Sequence, residues 1–95
     1  MRNPFQSIEL MQPATRMLGR VLTVERNLVR EIPTISNREG LAIALENYGL
    51  VLTDRKEARA CFAEALEIVQ KLQKETADGS FNEFEAELLH LNKRK

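Results

Sequence analysis

Residues 38–75 read REGLAIALENYGLVLTDRKEARACFAEALEIVQKLQKE. Apolar residues recur here every three or four positions, and the pattern breaks once, at the short polar turn Thr53-Asp54. Leu41, Ala44, Leu45, Tyr48 and Leu52 form one stripe; Ala58, Cys61, Phe62, Ala65, Val69 and Leu72 form another. Two helices joined by so short a turn lie antiparallel with their stripes facing. The stretch therefore predicts a helical hairpin, with helices over 37–52 and 54–76, around which the rest of the chain is organised.

Working outward, Ser36-Asn37-Arg38-Glu39 has the form of a capping box and predicts the start of the first of these helices. Thr53 or Asp54 caps the second, Glu67 and Lys71 stand in the favourable i,i+4 order, and Ala77-Asp78-Gly79 supplies a stop. Ahead of the hairpin, residues 13–32 read as a helix with Pro13 at its first position and Pro33 ending it. Leu10, Ala14, Met17, Val21, Val24 and Leu28 alternate spacings of four and three, a helix seam; Leu18, Leu22, Val29 and Ile32 add a second apolar face. A helix apolar on two sides is either central to the domain or shared with a second subunit. Gly19 in its middle is tolerable where another helix comes close. Behind the hairpin, Ser80-Phe81-Asn82-Glu83 is a second capping box, predicting a helix over 80–92 with Phe81, Phe84, Leu88 and Leu91 on one side. Residues 1–12 read as an arm whose Phe5, Ile8, Leu10 and Met11 dock on the core, and 93–95 as a basic tail. The expected fold is all-α: a single four-helix domain over 13–92.

The hairpin resembles a tetratricopeptide repeat. Asn47, Tyr48 and Gly49 match the Asn-Leu-Gly segment of that family's first helix, and Glu57, Ala58, Phe62, Ala65 and Leu66 match its second. The likeness spans about residues 41–68 as one unit, and the nine residues from Gly49 to Ala58 are about one helical turn fewer than the family has. The resemblance implies a non-catalytic scaffold that binds proteins or peptides.

Composition narrows the function. Ninety-five residues fit one small domain, and the 14 basic residues balance the 14 acidic ones, so no net field draws the chain to nucleic acid. Charge is unevenly placed: residues 1–40 hold six Arg and four Glu, whereas 75–92 hold five acids and no Lys or Arg. Arg16 and Arg20 could thus meet the acidic last helix, within one chain or between two. No apolar run approaches a membrane span or a signal sequence, so the expected location is cytoplasmic. A lone Cys61 on an apolar stripe reads as a core residue, and a lone His90 with Glu87 falls short of a metal site. Glu83, Glu85 and Glu87 read as a solvated acidic face. No cofactor, metal or catalytic residue is expected, and the chain does not read as an enzyme.

The function expected is protein binding through a helical face or groove, as a small adaptor, chaperone-like cofactor or inhibitor. Candidate contacts are Tyr48, Phe81, Phe84 and Leu88, with Arg55 and Arg59 setting charge complementarity. A homodimer would cover the surplus apolar stripes. The alternative is a dimeric helix-turn-helix regulator with Gly49 at the turn and Arg55, Lys56 and Arg59 on the reading helix. Asp54, Glu57 and Glu64 dilute that basic face, and a neutral chain lacks most of the phosphate-driven affinity.

Overall fold

A computed structural model describes residues 4–94, with side chains from Ala14 onward. Its described residues form four helices and no strand: α1 (Pro4–Glu31), α2 (Ile35–Val51), α3 (Arg55–Thr76) and α4 (Asn82–Arg94).

The α2/α3 pair is the predicted hairpin. Near its open end Arg38 is held by Glu75, through a forked contact whose second bond, Nη2 to Oε1, is 2.8 Å. Near its closed end Gly49 lies against the Phe62 ring, so the two helices run antiparallel in contact along their length. Asp54 is the cap of α3, its Oδ1 accepting from the Glu57 amide at 3.0 Å. At the far end Ala77 takes the left-handed conformation (φ 55°), its N–H donating to Gln73 O, and Gly79 follows at φ 77°.

The core is aliphatic with two aromatic anchors. Ala58, Phe62, Ala65, Val69 and Leu72 of α3 are fully buried, against Leu41, Ala42, Ala44 and Leu45 of α2. Small residues at Ala42, Ala44, Gly49, Ala58 and Ala65 let the helices approach. A Cβ built on Gly49 would stand 2.8 Å from Phe62 Cε1, so only glycine fits without displacing the ring.

The outer helices flank this hairpin. α1 runs antiparallel to α2, with Gly19 beside Tyr48 and the Glu25 carboxylate over Gly40, and Arg26 reaches across to Glu64 of α3 at 2.5 and 2.9 Å. α4 folds back on α3, where Gln73 Nε2 donates to Glu85 at 3.1 Å. The extents are 57 × 30 × 18 Å, and the shortest spans fewer than two helix diameters of about 10–12 Å. The 15.0 Å radius of gyration exceeds the roughly 13 Å of a closed 100-residue globule. The layer is thin, so part of the helical surface has no cover.

Several boundaries differ from those read in the sequence. α1 begins at Pro4, which takes the first-turn position assigned to Pro13; Pro13 lies inside the helix instead, contributing no N–H to its ladder. The docking expected of Phe5, Ile8, Leu10 and Met11 concerns side chains outside the described ones. The cap of α2 is Thr34, not Ser36: its hydroxyl accepts from the Asn37 amide at 3.1 Å, while Asn37 Nδ2 donates to Ile32 O at 2.8 Å. Pro33 forces the chain out of α1, and Thr34 is the first side chain placed to receive a helical amide, so α2 starts at Ile35. Ser80 does not cap α4 either; its amide donates to Asp78 Oδ1 at 3.0 Å, and the helix starts at Asn82. α4 continues through Lys93 and Arg94, where both cations meet the negative end of its dipole.

The largest correction concerns which helix is central. α2, apolar on nearly every side, lies between α1 and α3 with Ile43 and Leu50 still exposed, whereas α1 is peripheral and buries its inner side at Leu22 with Val29 packed against the core.

Candidate interaction face

Because α1 rests on α2 through Leu22 and Val29, with Gly19 beside Tyr48, its second apolar stripe points elsewhere. At about 100° per residue, Met17, Val21, Val24 and Leu28 are centred roughly a third of a turn from Leu22. They are open to solvent: Met17 is 66% exposed and Val24 61%, and the stripe continues past the helix end to Ile32 at 53%. Ala14 is exposed at its other end. From Ala14 to Leu28 the seam rises about 21 Å along the helix at 1.5 Å per residue. Nothing among the described residues covers it.

The helix that carries the seam is held firmly from behind. Tyr48 lies on the flat spot left by Gly19, where a Cβ would reach its Cε1 at an ordinary 3.6 Å. The Arg26–Glu64 fork ties α1 to α3, and this pairing holds the Arg26 guanidinium above its ordinary pKa. Between α1 and α2, Thr15, Arg16, Gly19, Arg20, Thr23 and Tyr48 line an open groove of about 470 Å³.

The six residues proposed from sequence do not converge. Leu88 (0% exposed) and Phe81 (5%) belong to the molecule's own core, and Phe84 packs half-buried against it. Arg55 and Arg59 sit together at the start of α3, lining a shallow groove with Lys56, Ala60 and Ala63. Tyr48 alone joins α1, beside Arg16 and Arg20. The helix-turn-helix alternative placed a turn at Gly49, but Gly49 is buried within α2 and the chain turns at residues 52–54. Helices of a DNA-reading pair cross at about 90–120°, unlike two that stay in contact end to end.

The remaining reactive groups are accounted for locally. Cys61 is half-buried at the core edge; burial first, then the Glu64 and Glu57 charges, push its thiol pKa up against the opposing pull of Arg26. A thiol so placed stays protonated. His90 is exposed, and the described residues contain no group of His, Cys, Asp and Glu able to hold a metal ion. The acidic face of α4 is less uniform than its sequence implies, because Glu87 reaches Glu46 of α2. Burial first, then the charge of Glu87 and a hydrogen bond with it, raise the Glu46 carboxyl above its ordinary range, and Glu46 Oε2 is buried without a partner. Among the described residues no helix is long and apolar enough to cross a membrane.

The seam itself was legible in the sequence as a four-and-three alternation. Its exposure was not, because that depends on which helix is central. The near-continuous apolar character of Leu41–Leu45, interrupted by no charge, was the available signal for α2.

The class these observations define is an all-α four-helix domain whose longest exposed apolar stripe runs along α1, with Ile43 and Leu50 of α2 and Leu89 of α4 also exposed. Comparison with protein-family models, curated proteins and solved structures gives no match to this chain.

Proposed function

We propose that the chain is a non-catalytic interaction module that binds a protein helix along the outward face of α1. The observation that carries this reading is the exposed seam Met17, Val21, Val24 and Leu28, on a helix whose other apolar face is already satisfied. A contiguous apolar strip with polar borders is the usual mark of an interaction surface. Here Arg20 and Asn27 border it on one side and Glu25 on the other. The mechanism is helix-on-helix packing, with the seam side chains as anchors. The binding-scaffold reading that comes with the tetratricopeptide resemblance is supported by the small-residue contact of α2 and α3 and by Gly49 on Phe62.

The test is site-specific photo-crosslinking in cells that make the protein. A photoreactive residue at Val24 is expected to give discrete protein adducts, and one at Arg30, exposed on the opposite side of α1, is not. Absence of adducts from Val24, or the same adducts from both positions, would overturn the reading.

A further inference from the structure

Resting on that reading, we infer that the occupant of the α1 seam is a second copy of this chain, with the two α1 helices parallel and in register. The seam has the seven-residue repeat of a two-stranded coiled coil. Ala14, Val21 and Leu28 fall at its a positions and Met17 and Val24 at its d positions, with Leu10 one step earlier in the sequence. A self-complementary stripe of this kind satisfies the requirement of a two-fold interface, in which the same surface serves both partners.

The flanking charges choose the alignment. Pro13, Arg20 and Asn27 occupy the g positions, and Leu18, Glu25 and Ile32 the e positions. In a parallel pair each g residue faces the e residue five positions on in the partner helix. Arg20 then meets Glu25 of the other copy, twice by symmetry. In an antiparallel pair g faces g and e faces e, so Arg20 finds Pro13, Arg20 or Asn27, and Glu25 finds Leu18, Glu25 or Ile32. No opposite charge is met in any such register. Within the described residues neither Arg20 nor Glu25 has an ion pair. Glu25 lies at the α1/α2 junction over Gly40, next to the seam residues Val21 and Leu28 on the helix surface.

The seam is short, closed at its next d position by Glu31. A free helix of that length would pay a large ordering cost on pairing, but α1 is already formed on α2, which removes that cost.

Variants of the full chain test this. In wild-type protein, light scattering over a concentration series is expected to show a dimer, and Val24→Glu, at an exposed position, a folded monomer by circular dichroism. Arg20→Glu is expected to weaken association about tenfold by setting Glu against Glu25 twice, and Arg20→Glu/Glu25→Arg to restore it. With Cys61→Ala as background, Ala14→Cys and Val24→Cys are each expected to form a disulfide with their own counterpart on oxidation. Disulfides only on mixing Ala14→Cys with Val24→Cys would overturn the parallel alignment, as would a double charge swap that fails to restore association. A wild-type monomer throughout the series would overturn self-pairing. The interaction reading would then survive only if Val24 still crosslinks to a protein of different mass.

Discussion

α1 and α3 carry the same kind of apolar stripe, and only one of them is covered. On α3 the stripe Ala58, Phe62, Ala65, Val69 and Leu72 is wholly buried; on α1 the stripe Met17, Val21, Val24 and Leu28 stands in solvent. The difference lies in side-chain size. α3 sets alanines beside one large ring, and α2 answers with Ala42, Ala44 and Gly49, so backbones close together. From Met17 to Leu28 the α1 seam is built of Met, Val and Leu alone, with no small residue on that face, and nothing among the described residues covers it. Periodicity states that a face needs cover. The distribution of small residues states whether the chain itself provides it.

The sharpest way to break this contrast is to truncate each stripe. Phe62→Ala is expected to cost about 3–5 kcal/mol in urea denaturation. Val24→Ala, measured at dilution where the chain is monomeric, should stay within about 0.5 kcal/mol. Equal losses would mean the two stripes are not differently covered. The glycines sharpen it further. Gly49→Ala forces Phe62 aside, an overpacking loss only partly offset by better helix propensity, with a net of about 1–2 kcal/mol expected. Gly19→Ala, where the new methyl meets Tyr48 at ordinary distance, should instead gain up to about 1 kcal/mol by the same assay.

Capping effects come next. Asp54→Ala should remove about 1 kcal/mol, because it leaves the Glu57 amide without its acceptor, whereas Ser36→Ala should be nearly silent. Thermal unfolding of the two variants distinguishes a hairpin capped at Asp54 and Thr34 from one capped at the serine.

The smallest effect is a pH dependence within the hairpin side. Glu46 has a folded pKa above its ordinary value, so the folded chain holds this proton more tightly than the unfolded one. Stability from this group is therefore present below the unfolded carboxyl pKa and declines as pH rises through the raised folded value. Glu46→Gln should flatten that decline and lift the melting temperature at neutral pH. A variant melting lower there than wild type would show that Glu46 and Glu87 do not disfavour each other.

Much of the fold could be read from local chemistry. The turn at Thr53-Asp54, the Asp54 cap, the stop at Ala77 and the buried face of α3 are all set by residues close in sequence. What failed involved competition or tertiary placement. Ser36 and Ser80 both head a Ser-x-x-Glu pattern, yet Thr34 lies nearer the break made by Pro33, and Asp78 claims the Ser80 amide. Phe81 and Leu88 offered the same apolar period as Met17 and Val24. Nothing local said that α4 would turn its stripe onto α3 while α1 left one of its two outside.

The order of packing carries a consequence for assembly. Each helix rests chiefly on its neighbour in the chain, α1 on α2, α2 on α3 and α3 on α4. Such a topology closes short loops before long ones, and helical domains of this type fold in microseconds to milliseconds. The α2/α3 hairpin can form first as a template, with the outer helices adding from either end. Stopped-flow refolding slower than about a second would contradict that order. Native-state hydrogen exchange should find the Leu41–Leu45 and Phe62–Leu72 amides the last to open, well after those of α4.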